Sequence, residues 1–222
     1  MMRSRWLKHV ALVLAVGLLP RPCEARITAI VIGVDQYNDT TIRPLAGAVN
    51  DAVAMARALM THCGVQPADV HLLITRSGGS SPETVPEGLA PVEPTLANIQ
   101  NAFTNAKKGL GDKDALLLYF AGHGGLLGDA DGRPFLVVQD TDQATRERIV
   151  GTVIKPTDLL EYLGSTKAPQ IVITDCCRAS WGDDGRGTGA GADAADAEAR
   201  RWMFAMRDAT ADPSASRAWL YS

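Results

Sequence analysis

Asp114-Ala115-Leu116-Leu117-Leu118-Tyr119-Phe120-Ala121, followed at once by Gly122-His123-Gly124-Gly125, is the stretch from which the fold is read. An unbroken apolar run of this length reads as a strand buried on both faces, the pattern of a parallel sheet rather than a half-solvated antiparallel one. Ile27–Val34 (ITAIVIGV) is a similar continuous run, Val70–Thr75 and Gln170–Thr174 (QIVIT) read as further strands, and Phe135–Val138 as a short one. Between them lie helical patterns. Leu45, Ala48, Val49, Ala52, Val53, Ala56 and Leu59 recur every three or four residues. Thr95 caps a second helix running to about Lys108 and closed by Gly109, and Pro156 opens a third that reaches Leu163 before Gly164. The order is β-α-β-α-β-α-β, so the expected fold is α/β: a mainly parallel sheet with right-handed crossovers and helices on both faces.

The 222 residues suit one or two domains. With 46% hydrophobic and 21% charged residues the chain is neither disordered nor all-membrane. A net charge of −3 and 5% aromatics give no reason to expect nucleic acid or an anionic membrane as partner. Four cysteines are too few for a disulfide scaffold at this length.

Residues 1–25 read as an export signal. Arg3, Arg5 and Lys8 precede the apolar run Val10–Leu19, Pro20 and Pro22 end it, and Cys23-Glu24-Ala25 places small residues where a signal peptidase inspects them. Ten apolar residues reach about 15 Å, half of a hydrocarbon core, so cleavage is expected rather than anchoring. The mature protein is then expected to be secreted or periplasmic, without a stable membrane span. It would keep Cys63, Cys176 and Cys177, an odd number that leaves at least one thiol outside any intramolecular disulfide. Residues 26–181 read as the folded α/β domain and Gly182–Ala199, dominated by Gly, Ala and Asp, as a flexible linker. Residues 200–222 read as the start of a C-terminal part, with a strand beginning at Arg217, so a sequence cut short is expected.

In open α/β sheets reactive groups collect beyond the carboxyl ends of the strands. One such end leads into His123, another into Asp175-Cys176-Cys177-Arg178. If those strands are neighbours, an imidazole and a thiol face each other across the top of the sheet. A thiol, ordinarily near pKa 8.5, beside an imidazole near 6.5 gives a thiolate and a general acid for the leaving amine. The glycines flanking His123 clear room for a substrate backbone. The backbone N–H groups of Gly124 and Cys177 are the expected oxyanion donors.

Tyr119-Phe120-Ala121-Gly122-His123-Gly124 and Ile173-Thr174-Asp175-Cys176-Cys177-Arg178 resemble the His and Cys boxes of the caspase and metacaspase family of cysteine peptidases. Ile30–Gln36 with Leu45–Met55 is similar to that family's first strand and helix. The caspase spacing from His to Cys is about 50 residues, and here it is 54. The resemblance covers residues 27–180. It implies a three-layer caspase-like sandwich, a large-subunit-like domain incomplete at its C-terminus, and an endopeptidase with Cys177 as nucleophile and His123 as general base and acid. By similarity to the metacaspase branch, Asp51 and Asp175 line the pocket for the residue before the cleaved bond. Two carboxylates there favour Arg or Lys. Ala121 stands where metacaspase-like members often carry Ser, and Arg178-Ala179-Ser180 replaces the common His-Ser-Gly.

No cofactor is expected. Calcium activation, known in some metacaspases, would draw on Asp140, Asp142, Asp183 and Asp184, but these show no regular loop spacing and read better as solvated turns. The expected partners are protein or peptide substrates. Arg186, Arg200, Arg201 and Arg207 are candidate self-cleavage sites. Three other readings compete: a catalytically inactive caspase-like binding or regulatory module; a metal site built from His123, Cys176 and Cys177 with His62 or Cys63, disfavoured because no CxxC pair exists; and a nucleotide-binding domain, disfavoured because no GxGxxG or GxxxxGK[ST] follows the first strand.

Overall fold

The computed structural model describes residues 25–75, 84–126, 134–164, 166–181, 187–188 and 217–221. The expected export signal lies outside them except for Ala25, as do the expected linker except for Gly187 and Thr188 and the candidate cleavage sites Arg186, Arg200, Arg201 and Arg207. Four strands form the centre: β1 (Ile27–Gly33), β2 (Val70–Ile74), β3 (Ala115–Leu126) and β5 (Gln170–Trp181), hydrogen-bonded in the order β2-β1-β3-β5 and all parallel. β4 (Pro134–Leu136) runs antiparallel to the end of β3, β6 (Gly187–Thr188) antiparallel to the end of β5, and β7 (Arg217–Tyr221) parallel to β5. The expected parallel sheet is present.

The helices are α1 (Ala48–His62), α2 (Leu96–Ala106), α3 (Arg146–Thr152) and α4 (Pro156–Leu163). Strand alternation sorts the core into two faces. Ala29, Val31, Leu117, Tyr119 and Ala121 pack against Ala48, Ala52, Ala56 and Leu59 of α1. Ile30, Ile32, Val34, Leu118, Phe120, Val172 and Cys176 pack against Ile99 and Phe103 of α2 and Leu159 and Leu163 of α4. The result is a three-layer sandwich. A smaller cluster of Ile42, Phe135, Val137, Ile149 and Val153 seats β4 and α3 beside the sheet top.

Several local signals act as read. Thr95 accepts from the N–H of Asn98 at 3.3 Å, Pro156 opens α4, and Gly109 and Gly164 hold φ of 74° and 64°. Others were invisible. α1 starts three residues after Leu45 because the buried carboxylate of Asp35, not a local cap, accepts from the N–H groups of Ala48 (2.8 Å) and Val49 (3.3 Å). The short α3 carried no period long enough to register. Within the expected loop 77–94, Val92 adds one bridging residue to the outer edge of β2.

The largest departure concerns strand length. β3 does not stop at Ala121 but continues to Leu126, and β5 continues from Thr174 to Trp181. The glycines at 122, 124 and 125 hide the β3 extension, since glycine has poor strand propensity; here pairing with neighbouring strands overrides it.

Candidate active site

Gly33 fixes where α1 meets the sheet. A Cβ there would lie 2.5 Å from the carbonyl of Ala48 and 2.7 Å from the Cβ of Ala52, so only glycine lets the helix start this close to β1. With Asp35 capping the same helix, its first turn, which carries Asp51, is held against the carboxyl end of the sheet. β3 and β5 then pair in register as Ala121↔Asp175, Gly122↔Cys176 and His123↔Cys177. The two sequence boxes are therefore adjacent, and positions 123 and 177 are directly opposed.

His123 is half-buried and held from three directions, all by the segment between β1 and α1. Its Nε2 lies 2.7 Å from the carbonyl of Arg43. A carbonyl only accepts, so this contact places the proton on Nε2 and leaves Nδ1 with its lone pair. The Tyr37 ring stacks on the imidazole, with centroids 5.4 Å apart and planes at 24°. The Tyr37 hydroxyl accepts from the backbone N–H of His123 at 3.1 Å and donates to the carbonyl of Val34 at 3.1 Å. Burial holds the imidazole pKa below its ordinary value; the Arg43 carbonyl opposes this and the Arg43 charge reinforces it. A neutral imidazole at neutral pH is the form that can accept a proton.

Asp175 is exposed at the same end of the sheet. The Tyr119 hydroxyl donates to its Oδ2 at 3.5 Å. Tyr119 is 5% exposed, and its phenol pKa is pushed far up by burial first and then by the charges of Asp175 and Asp51. Both carboxylates thus act on one phenol, Asp51 from α1 and Asp175 from β5.

Cys176 is on the other face of β5, 7% exposed and packed within the α2 and α4 side of the core. It does not converge with His123, and Cys63 is exposed at the end of α1. Among the described residues no group of three or more His, Cys, Asp or Glu side chains could hold a metal ion. Of the acidic residues considered for calcium, Asp140 accepts from the N–H of Leu96 at 2.8 Å. Asp142 accepts from the N–H of Ala144 at 2.9 Å and pairs with Arg148 at 2.6 Å. Asp183 and Asp184 lie outside the described residues.

The oxyanion expectation meets an obstacle. The N–H of Leu116 bonds the carbonyl of Pro169 at 2.9 Å, and alternation from there turns the N–H groups of Gly124 and Cys177 into the β3–β5 seam. The ladder continues to Leu126↔Ser180, so in this arrangement both amides face the neighbouring strand.

Sequence reasoning missed Asp35, Tyr37, the Arg43 carbonyl and Tyr119. Asp35 had a findable signal, an acidic residue between a strand end and a helix start. Tyr37 and Arg43 had none, because they act through a hydroxyl and a backbone carbonyl on a residue some eighty positions away.

Comparison with known proteins agrees with this architecture. The family model described as the caspase domain matches residues 26–217. Among solved structures, a Geobacter sulfurreducens protein is 20% identical over 82% of this chain and 62% of that chain, with a TM-score of 0.50. The structure named pro-sf-caspase-1 is 16% identical over 74% of this chain and 55% of that chain, TM-score 0.45. Caspase-1 from Spodoptera frugiperda is 15% identical over 74% of this chain and 56% of that chain, TM-score 0.45. The chain spans less than two thirds of the length of each. No curated protein sequence matches it. The family match extends over most of the chain, and on that ground the protein belongs to the caspase-domain family, a family of cysteine peptidases.

Proposed function

We propose that this protein is a cysteine endopeptidase of the caspase and metacaspase type that cleaves proteins after Arg or Lys. The observation that carries the reading is the register pairing of His123 with Cys177, with the imidazole oriented so that Nδ1 is the basic atom. In the first half-reaction Nδ1 takes the Cys177 thiol proton and the sulfur attacks the scissile carbonyl carbon. The tetrahedral intermediate collapses as the same proton passes from His123 to the leaving amine, leaving a thioester. Water, deprotonated by His123, then releases the acid and restores the thiol. Asp51 and Asp175 pair with the basic side chain preceding the cleaved bond, and the Tyr119 hydroxyl orients Asp175.

One observation favours a second reading, a caspase-fold binding module without turnover. The unbroken β3–β5 ladder turns the Gly124 and Cys177 amides away from a substrate carbonyl. For an oxyanion hole at these positions the strands must part beyond Ala121↔Asp175. Export through residues 1–25 and self-cleavage at Arg186, Arg200, Arg201 or Arg207 belong to the same proposal. Hydrolysis of fluorogenic peptides ending in Arg, Lys, Asp or Leu before the reporter tests it. Turnover confined to Arg and Lys, and absent from Cys177→Ala, is expected. Stoichiometric binding of basic peptides without product would establish the second reading.

A further inference from the structure

Between β1 and β4 the outer side of β3 changes partner. Just past β1 the N–H of Val34 donates to the carbonyl of Ala121 at 3.0 Å, and just past β4 the N–H of Val137 donates to the carbonyl of His123 at 2.9 Å. The N–H of His123 falls in the gap, where no strand supplies an acceptor. The Tyr37 hydroxyl supplies it and passes its own proton to Val34, so one oxygen joins the end of β1 to the backbone of His123. The ring of the same residue lies flat on the imidazole.

We propose that Tyr37 is the positioning residue for His123: its hydroxyl pins the histidine backbone at the partner change, and its ring fixes the imidazole plane so that Nε2 meets Arg43 and Nδ1 is presented to residue 177. This rests on the reading of His123 as general base. The segment that carries Tyr37 is itself anchored, which is what positioning requires. Asn38 N–H donates to the carbonyl of Gln139 at 2.8 Å, Asp39 accepts from the N–H of Gln143 at 2.9 Å, and Ile42 is buried with Phe135, Val137 and Ile149. Among the described residues, the titratable or charged groups that act on the imidazole are Tyr37, stacked on its ring, and Arg43 of the same segment; the backbone position opposite His123 on β5 is residue 177.

The two functions separate by substitution. Tyr37→Phe keeps the ring and removes the hydroxyl, whereas Tyr37→Leu removes both. For Tyr37→Phe the expected result is kcat reduced about tenfold with KM within about twofold, from the loss of one buried hydrogen-bond partner at the base. The histidine titration, followed by NMR of the imidazole Cε1–H in the full-length Cys177→Ala protein, is expected to stay at its original midpoint in Tyr37→Phe. In Tyr37→Leu it is expected to move up toward the ordinary histidine value, because the imidazole loses part of its shield from water. Unchanged kcat in both variants, or an unmoved midpoint in Tyr37→Leu, overturns the proposal and leaves Tyr37 as packing. Should the parent protein cleave no basic peptide, the peptidase reading fails and the NMR midpoint alone decides for or against Tyr37.

Discussion

His123 on β3 and Cys177 on β5 are register partners, and the one-residue offset pairs Gly122 with Cys176. That offset sets position 177 opposite His123 along the strands, while Cys176 is buried in the core. Cys177→Ala is expected to lower turnover by at least about a thousandfold. Cys176→Ala is expected to leave kcat/KM within about threefold and to lower unfolding free energy by about 1 kcal/mol, the loss from a small buried side chain. Steady-state kinetics with urea unfolding on the same preparations separates the two effects.

The acid limb of activity follows from His123. Burial lowers its pKa, so the neutral, proton-accepting form persists below the ordinary value of about 6.5. A kcat/KM profile from pH 4.5 to 8 is expected to place the acid midpoint below that value. A midpoint above it would mean that the imidazole is solvated or faces a negative charge.

Stability is expected to fall in the same pH range. His71 has its pKa lowered by burial, opposed by the charge of Asp69, and His123 is lowered as well. Both bind protons less readily folded than unfolded, so their contribution is fully present above the unfolded pKa and is lost as pH falls through the folded one. Thermal midpoints measured between pH 7.5 and 5 should decline on the acid side. His71→Gln should flatten that decline.

Asp51→Asn and Asp175→Asn are each expected to reduce kcat/KM for Arg and Lys substrates by about a hundredfold, through loss of a charge-assisted pair, while any residual cleavage of neutral peptides stays constant. Equal losses on basic and neutral peptides would instead mark the two carboxylates as structural. Tyr119→Phe removes only the hydroxyl that reaches Asp175, so a smaller loss of about three- to tenfold is expected.

Asp35 is 6% exposed and caps α1 through both carboxylate oxygens. Asp35→Ala is expected to cost about 2–3 kcal/mol, because two helix N–H groups lose a charged acceptor in a buried setting. A shift of the urea midpoint at constant slope is the measurement.

The order of the central strands and of α1, α2 and α4 was legible in the sequence because the strands are predominantly apolar runs and α1 carries a clear helical period. The His and Cys boxes were legible because both follow such runs. What the sequence concealed depends on contacts between distant segments: extensions of β3 and β5 that pair with each other, a helix capped by Asp35 from thirteen residues away, and a histidine held by Tyr37 and the Arg43 carbonyl. Local propensity carries no trace of such bonds, since the acceptor at Arg43 is a backbone atom that any residue would supply.

The most direct test is covalent capture. Full-length protein is treated with a peptide electrophile bearing Arg at its reactive end, and the adduct is located by mass spectrometry in the parent and in His123→Ala. The expected result is one adduct, on Cys177, formed at least about a hundredfold more slowly without the imidazole. Labelling spread to the exposed Cys63, or an equal rate on Cys177 in both proteins, would mean that the histidine and the cysteine do not act together.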